Sequence, residues 1–303
     1  MQKVCLTGKA MYYISSTICG KARIKDVVLE LIGLGFSNIE LSGGTVFYEG
    51  IEEDLLDLRK RYKVNFLVHN YFPPARDSFV MNIASGDSAL RKNTFDLISN
   101  AIRLTERLGN DLYTFHPGYN ISSVTEKNGR FYEDLDVGES AGIQNTKRDF
   151  YQGMDFLLDR LAGKEIRIGV ENLFPFHRNF YSFLDSIDDI EEFLDRYKDV
   201  PNIGILLDLG HLNLAANVMG FNKLNIVERV MAEYPDKIFE VHISENDGSR
   251  DFHNVSELDS WQIGFVMDNK KFLKDVPIVF EWRNGADTKT YQHFERLCKT
   301  LSN

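Results

Sequence analysis

Six short apolar runs in this chain end in, or carry, a side chain able to bind a cation: FLVHN supplies His69, YTFHPG His116, GVENL Glu171, LLDLGH Asp208 and His211, EVHISEN His242, and FEWRN Glu281. Imidazole and carboxylate together suit zinc, manganese, iron or cobalt, whereas calcium and magnesium prefer shells made of oxygen alone. The segment DGSRDFH adds Asp251 and His253, two residues apart. Five of the seven histidines then stand in candidate ligand positions, leaving His177 and His293 over.

Taken singly, these residues have ordinary uses. A strand-end His69 or His116 can be a hydrogen-bonded core histidine, and Asp208 can cap a following helix. Glu171 and Glu281 are harder to place that way, because each follows apolar strand residues and an unpaired buried carboxylate is costly. Together they argue for one divalent-metal site (Zn, Mn, Co or Fe), provided that the fold gathers the strand ends at one face.

The apolar pattern supplies such a fold. β-type runs at Val4-Leu6, Asn38-Leu41, Asn65-Asn70, Leu112-His116, Arg167-Asn172, Ile203-Asp208, Ile238-Ser244 and Pro277-Glu281 alternate with helix-period stretches. Those stretches lie near Ile24-Leu34, Glu53-Tyr62, Asp87-Leu108, Thr146-Ala162, Ser186-Tyr197, Asn222-Tyr234, Glu257-Asn269 and Thr288-Leu301. Repeated βα units of this kind predict an α/β chain folded as a (β/α)8 TIM barrel, whose strand C-termini converge on one mouth. The longest irregular stretch, Gly118-Gly142, follows strand four and would overhang that mouth as a lid-like insertion with glycines at 129, 138 and 142.

At 303 residues and 43% hydrophobic, the chain matches one barrel of roughly 250 residues plus loops, so a single domain over 1-303 is expected. A net charge of -10 argues against a broad basic face for nucleic acid or anionic membrane. Cys5, Cys19 and Cys298 lack CxxC spacing, which points away from disulfides and thiolate zinc sites and toward a reducing cytoplasm. No run approaches the ~20 apolar residues of a membrane span, and MQKVCLTGKAMYYISSTICG lacks the apolar stretch of an export signal.

The motifs GVEN, LLDLGH, EVHISEN with GSRDFH, and FEWR jointly resemble the xylose-isomerase-like barrel superfamily, from about strand one to strand eight. That superfamily includes sugar isomerases and epimerases together with the endonuclease IV family. Its epimerase branch implies one divalent ion on Glu171, Asp208, His242 and Glu281. Its endonuclease branch implies three zinc positions: His69, His116 and Glu171; Glu171, Asp208, His242 and Glu281; and His211, Asp251 and His253. Endonuclease IV proteins are least similar after strand one, where LTGKAM stands in place of a GAHVS-type segment, and after strand two, where SGGTVFYEGIEED is acidic and has no arginine for a DNA groove.

The loops therefore favour a small carbohydrate over nucleic acid. The expected activity is a sugar or sugar-phosphate isomerase or epimerase working through a metal-stabilised enediolate, with Glu171 and Glu281 as the catalytic carboxylates. The alternative is an endonuclease IV-like multi-zinc phosphodiesterase acting on abasic DNA. Substrate contacts are expected from Asn70, Tyr71, Asn172, His177, Arg250 and Arg283. The arginines suit a phosphate or carboxylate, or else a rim salt bridge. Tyr71 and Phe72 offer flat apolar surface to a sugar ring, or else pack the rim.

Overall fold

The computed structural model describes residues 11-20, 22-119, 124-127, 130-133, 147-175, 182-283 and 285-302. Eight strands close into a parallel barrel in the order β1-β10-β9-β8-β7-β4-β3-β2, comprising β1 (Tyr12–Ser15), β2 (Asn38–Leu41), β3 (Asn65–His69), β4 (Leu112–Phe115), β7 (Arg167–Glu171), β8 (Ile203–Asp208), β9 (Ile238–Ile243) and β10 (Ile278–Phe280). The strands IGILLD and IFEVHI are buried along their whole length, because the barrel interior covers one face and the helices the other. Between β4 and β7, β5 (Val124–Lys127) pairs antiparallel with β6 (Arg130–Glu133).

The helical ring forms where the periodicity places it: α1 (Ile24–Leu34), α2 (Ile51–Tyr62), α3 (Ser88–Arg107), α4 (Lys147–Leu161), α5 (Ile187–Arg196), α7 (Lys223–Glu233), α8 (Trp261–Asn269) and α9 (Thr288–Ser302). SGDS starts α3 as a capping sequence should, with the Asp87 carboxylate accepting from the backbone N–H groups of Ala89 and Leu90. No helix among the described residues is long and apolar enough to cross a membrane.

The lid-like stretch Gly118-Gly142, expected to be irregular, carries the β5–β6 hairpin and otherwise lies mostly outside the described residues. Two further elements depart from the sequence expectation. Val4-Leu6 lies outside the described residues, and the first barrel strand is instead Tyr12–Ser15, hydrogen-bonded to β10 and β2. The segment after strand one is thus STICG, not LTGKAM, and the contrast drawn there with endonuclease IV falls away. In addition, α6 (Leu209–Met219) follows β8 with no intervening loop. The Asp208 carboxylate caps it by accepting from the His211 N–H at 2.6 Å.

At the opposite end of the barrel, the buried Lys237 ammonium donates to the carbonyls of Tyr197 (2.7 Å), Val200 (2.6 Å) and Ile203 (3.2 Å), tying the end of α5 to the start of β8. Lys237→Met would leave those carbonyls without their donor. A loss of roughly 2–3 kcal/mol is expected in urea unfolding, since hydrogen bonds to charged groups are worth about that much. Zinc affinity should not change; a variant as stable as the parent would contradict this account.

Candidate metal centre

Six of the nine predicted ligands sit at or beside the C-terminal end of a strand, while His211 lies in the first turn of α6 and Asp251 and His253 in the loop after β9. His69 ends β3 and His116 follows β4. Glu171 ends β7, Asp208 ends β8, His242 lies in β9 and Glu281 follows β10. His69, Glu171, Asp208, His211, His242, His253 and Glu281 are all buried. Gly210 lets α6 start hard against β9. A Cβ there would stand 2.6 Å from Ser244 Oγ and 2.9 Å from the Ser244 carbonyl oxygen. That close approach sets Asp208 and His211 beside His242.

Glu171 is the hub. Its Oε2 lies 3.3 Å from His69 Nε2 and 3.0 Å from His116 Nε2, while its Oε1 lies 2.9 Å from His211 Nδ1. Asp208 Oδ2 lies 3.8 Å from His211 Nδ1 and 3.7 Å from His242 Nδ1, and Glu281 Oε2 lies 3.4 Å from His242 Nδ1. Asp251 Oδ2 is 2.5 Å from His253 Nε2 and 3.8 Å from His211 Nε2.

Three groupings here offer ligand atoms within 4.8 Å of one another: His69, His116 and Glu171; Glu171, Asp208 and His211; and Asp208, His242 and Glu281. His211, Asp251 and His253 are linked in a chain through Asp251.

Asp208 Oδ2, His242 Nδ1 and Asp251 Oδ1 are buried without a hydrogen-bond partner, and the two Glu171 oxygens face only imidazole nitrogens, at 2.9–3.3 Å. Orphaned atoms of this kind are costly in a dry interior unless something else satisfies them. The mixed nitrogen and oxygen set, turned inward on shared points, fits divalent metal. Atoms outside the ligand shell fix the rings: Thr114 Oγ1 lies 2.9 Å from His69 Nδ1, and the backbone carbonyl oxygen of Glu281 3.1 Å from His253 Nδ1.

Burial opposes ionisation of Glu171, but His116 and His211 beside it overcome that penalty and hold its carboxyl well below the usual carboxylate range. Burial likewise opposes charge on His242 and His211. The surrounding carboxylates outweigh it and raise both imidazoles well above the ordinary histidine value. For His253, burial is outweighed by Glu281 and Asp251, and its pKa rises to about 10. His69 moves the other way, because its burial dominates over Glu40 and Glu171.

These shifts set a pH dependence. Metal must displace protons from the raised histidines, so zinc affinity is expected to fall roughly tenfold per pH unit for each proton displaced as pH drops from about 8 to 6. In the metal-free protein, His253 has a folded pKa raised from 6.5. Its contribution to stability is fully present below that value and lost as pH rises toward about 10. Zinc titrations across pH, and melting of chelator-treated protein above neutrality, check both signs. A pH-independent zinc affinity would contradict the first, and a flat melting temperature the second.

The predicted substrate residues divide. Asn172 spends its amide on Asp208, donating to its carbonyl at 3.0 Å and accepting from its N–H at 2.7 Å. It therefore braces a ligand, with one amide hydrogen and one lone pair of the amide oxygen outside these two bonds. Asn70 is buried and receives the His116 N–H at 3.4 Å on its side-chain oxygen. Tyr71 is half-buried with its ring edge-on to His116 at 6.3 Å, whereas Phe72 is wholly buried in the core. Arg250 and Arg283 are exposed, and among the described residues neither forms a salt bridge. His177 lies outside the described residues.

Sequence reasoning missed Glu40 on β2 and Glu240 on β9. Both are buried, with Glu40 Oε2 2.8 Å and Glu240 Oε1 2.9 Å from His242 Nε2. Each interrupts an apolar strand, in NIEL and IFEVHI. Glu240 is also two residues before His242, on the same strand face. Those are the same signals that singled out Glu171.

Among solved structures, a D-tagatose 3-epimerase-like protein aligns with a TM-score of 0.70 at 22% identity, covering 96% of both chains. D-allulose 3-epimerase from Methylomonas sp., in complex with D-allulose, aligns with a TM-score of 0.63 at 15% identity, covering 97% of this chain and 96% of that one. At such identities these likenesses establish the fold. A probable endonuclease 4 from Clostridium botulinum (strain Alaska E43 / Type E3) is 24% identical over 184 residues, covering 59% of this chain and 57% of that protein, so less than two thirds of that relative is spanned. The family model described as xylose isomerase-like TIM barrel matches residues 31–277, from β2 to β9 with every predicted ligand but Glu281, and the chain belongs to that family.

Proposed function

We propose that this chain is a divalent-metal-dependent isomerase or epimerase of a sugar or sugar phosphate. The observation that carries the reading is the placement of two buried carboxylates, Glu171 and Glu281, on either side of the β8–β9 pair Asp208 and His242. Isomerisation beside a carbonyl needs one group to remove a proton and one to return it, and two flanking carboxylates can divide that work. A divalent ion held by Glu171, Asp208, His242 and Glu281 would stabilise the negative charge that develops on the neighbouring oxygen. Asn172 and the cap on α6 keep Asp208 in place.

The surroundings support a small anionic substrate better than a duplex. Arg250 and Arg283 are exposed and lie one and two residues along the chain from Asp251 and Glu281, and each could take a phosphate or carboxylate in a planar fork. Between the β2 and β3 loops and α3, lined by none of the predicted ligands, lies a separate cavity of about 610 Å³ whose walls include Glu49, Glu52, Glu53, Asp77 and Asp96 against Arg76 and Arg103. Arg76 is held by Glu49 at 3.0 Å, and Arg103 by Glu52 at 2.7 Å. A nucleic-acid backbone would meet net negative charge there.

A second reading, a multi-metal phosphodiesterase, draws support from Glu171. Its two oxygens face different histidines, as a carboxylate shared by two ions would. Zinc-, manganese- or cobalt-loaded protein should be incubated in D2O with a panel of ketoses and their phosphates, and in parallel with an abasic-site duplex. Deuterium incorporation beside the carbonyl is expected. Rapid incision of the duplex without any exchange would overturn the isomerase reading in favour of the second.

A further inference from the structure

We propose that Glu40 and Glu240 are positioning residues, which hold His242 by its Nε2 so that Nδ1 is the nitrogen turned to the metal. The inference rests on the metal reading above and adds a layer beneath it. A neutral imidazole has one nitrogen carrying hydrogen and one free to ligate, and whichever nitrogen finds an acceptor keeps the hydrogen. Nε2 has two acceptors, Glu40 Oε2 at 2.8 Å and Glu240 Oε1 at 2.9 Å. Nδ1 has no hydrogen-bond partner and faces Glu281 Oε2 at 3.4 Å and Asp208 Oδ2 at 3.7 Å.

The two carboxylates reach the ring from different parts of the barrel. Glu240 lies on the same strand as His242, while Glu40 comes from β2, which is separated from β9 by β1 and β10. Both are essentially inaccessible to solvent. Two carboxylates side by side in a dry interior are expensive, and replacing a buried ionic group by apolar side chains is often neutral or stabilising. Fold stability alone therefore gives a poor account of the pair.

Glu40, His69 and His242 also bring ligand atoms within 4.8 Å of one another. His69, however, is turned to the upper cluster, with Nδ1 at Thr114 Oγ1 (2.9 Å) and Nε2 at Glu171 (3.3 Å). Glu40 is then left to His242 and Glu240, as a hydrogen-bond acceptor.

The test compares the parent chain with the double variants Glu40→Met/Glu240→Met and Glu40→Gln/Glu240→Gln. Zinc affinity is read by chelator competition, zinc stoichiometry by elemental analysis, and the His242 ring by 15N chemical shifts of histidine-labelled, zinc-loaded protein, in which the ring is neutral. Loss of an outer partner typically costs about 10–100-fold in metal affinity. The Met pair should show that loss at unchanged stoichiometry, with His242 no longer confined to one tautomer. The Gln pair, which keeps acceptor oxygens, should recover most of the affinity and the parent tautomer.

Equal zinc affinity and an unchanged ring signal in the Met pair would overturn the positioning role. Loss of one zinc per chain would overturn it too, by making the pair ligands. A parent chain that binds no zinc, manganese or cobalt would instead remove the metal reading itself. The thermal melt of each metal-free variant reports that it has folded, and the single variants Glu40→Gln and Glu240→Gln carry the test if a double variant does not.

Discussion

Glu171→Gln is expected to lower turnover by roughly 10³-fold or more while leaving the barrel folded. The side chain is isosteric, but the charge that faces His69, His116 and His211 disappears. Losing the carboxylate that helps hold an ion removes several kcal/mol of charge stabilisation, at about 1.4 kcal/mol for each tenfold in rate. Zinc content should fall as well, because the two histidines on Oε2 and the one on Oε1 lose the group that joins them. Turnover within tenfold of the parent would show that Glu171 is not the hub of the site.

The second large effect is at Asp208, where two roles can be separated by the choice of substitution. Asp208→Ala removes a metal-facing oxygen and also the cap of α6, since Oδ1 accepts from the His211 N–H at 2.6 Å. Loss of such a cap costs about 1 kcal/mol. Asp208→Asn keeps a capping oxygen but removes the charge beside His242 and His211. Both variants should lose activity to a similar extent, roughly 10³-fold or more. Only the Ala variant should also unfold at lower denaturant. If Asn restored activity along with stability, Asp208 would be a cap and nothing more.

The barrel and the ligands were legible for a common physical reason. A parallel strand buried on both faces reads as a short apolar run, and a polar residue at its end must be satisfied by something. Seven of the eight barrel strands therefore fall where the pattern puts them, and Glu171, Asp208, His242 and Glu281 stand out against apolar neighbours. Strand one was misplaced because VCL and YYIS are equally good β-type runs. What selects YYIS is hydrogen bonding to β10 and β2, which are distant in sequence. Helix α6 is not legible, because it starts directly after the strand's last residue, with no intervening loop to mark the change.

Glu40 and Glu240 are less legible than the strand-end ligands, because each lies one or more residues inside its strand. Only the closed barrel shows that β2 faces β9 across the interior, bringing Glu40 to a histidine 202 residues away. The arginines illustrate the converse. Spacing alone left Arg250 and Arg283 between a rim salt bridge and an anion site. The rim bridge finds no partner among the described residues, which leaves the anion role to be tested.

The central claim, that strand-end side chains from β3 to β10 form one metal centre, is tested most directly by anomalous diffraction from crystals of zinc-reconstituted protein. The account predicts a zinc peak at bonding distance, about 2.0–2.2 Å, from oxygens of Asp208 and Glu281 and from Nδ1 of His242, with Glu171 completing the shell. Zinc peaks confined to surface histidines or carboxylates, with no density among these residues, would contradict it.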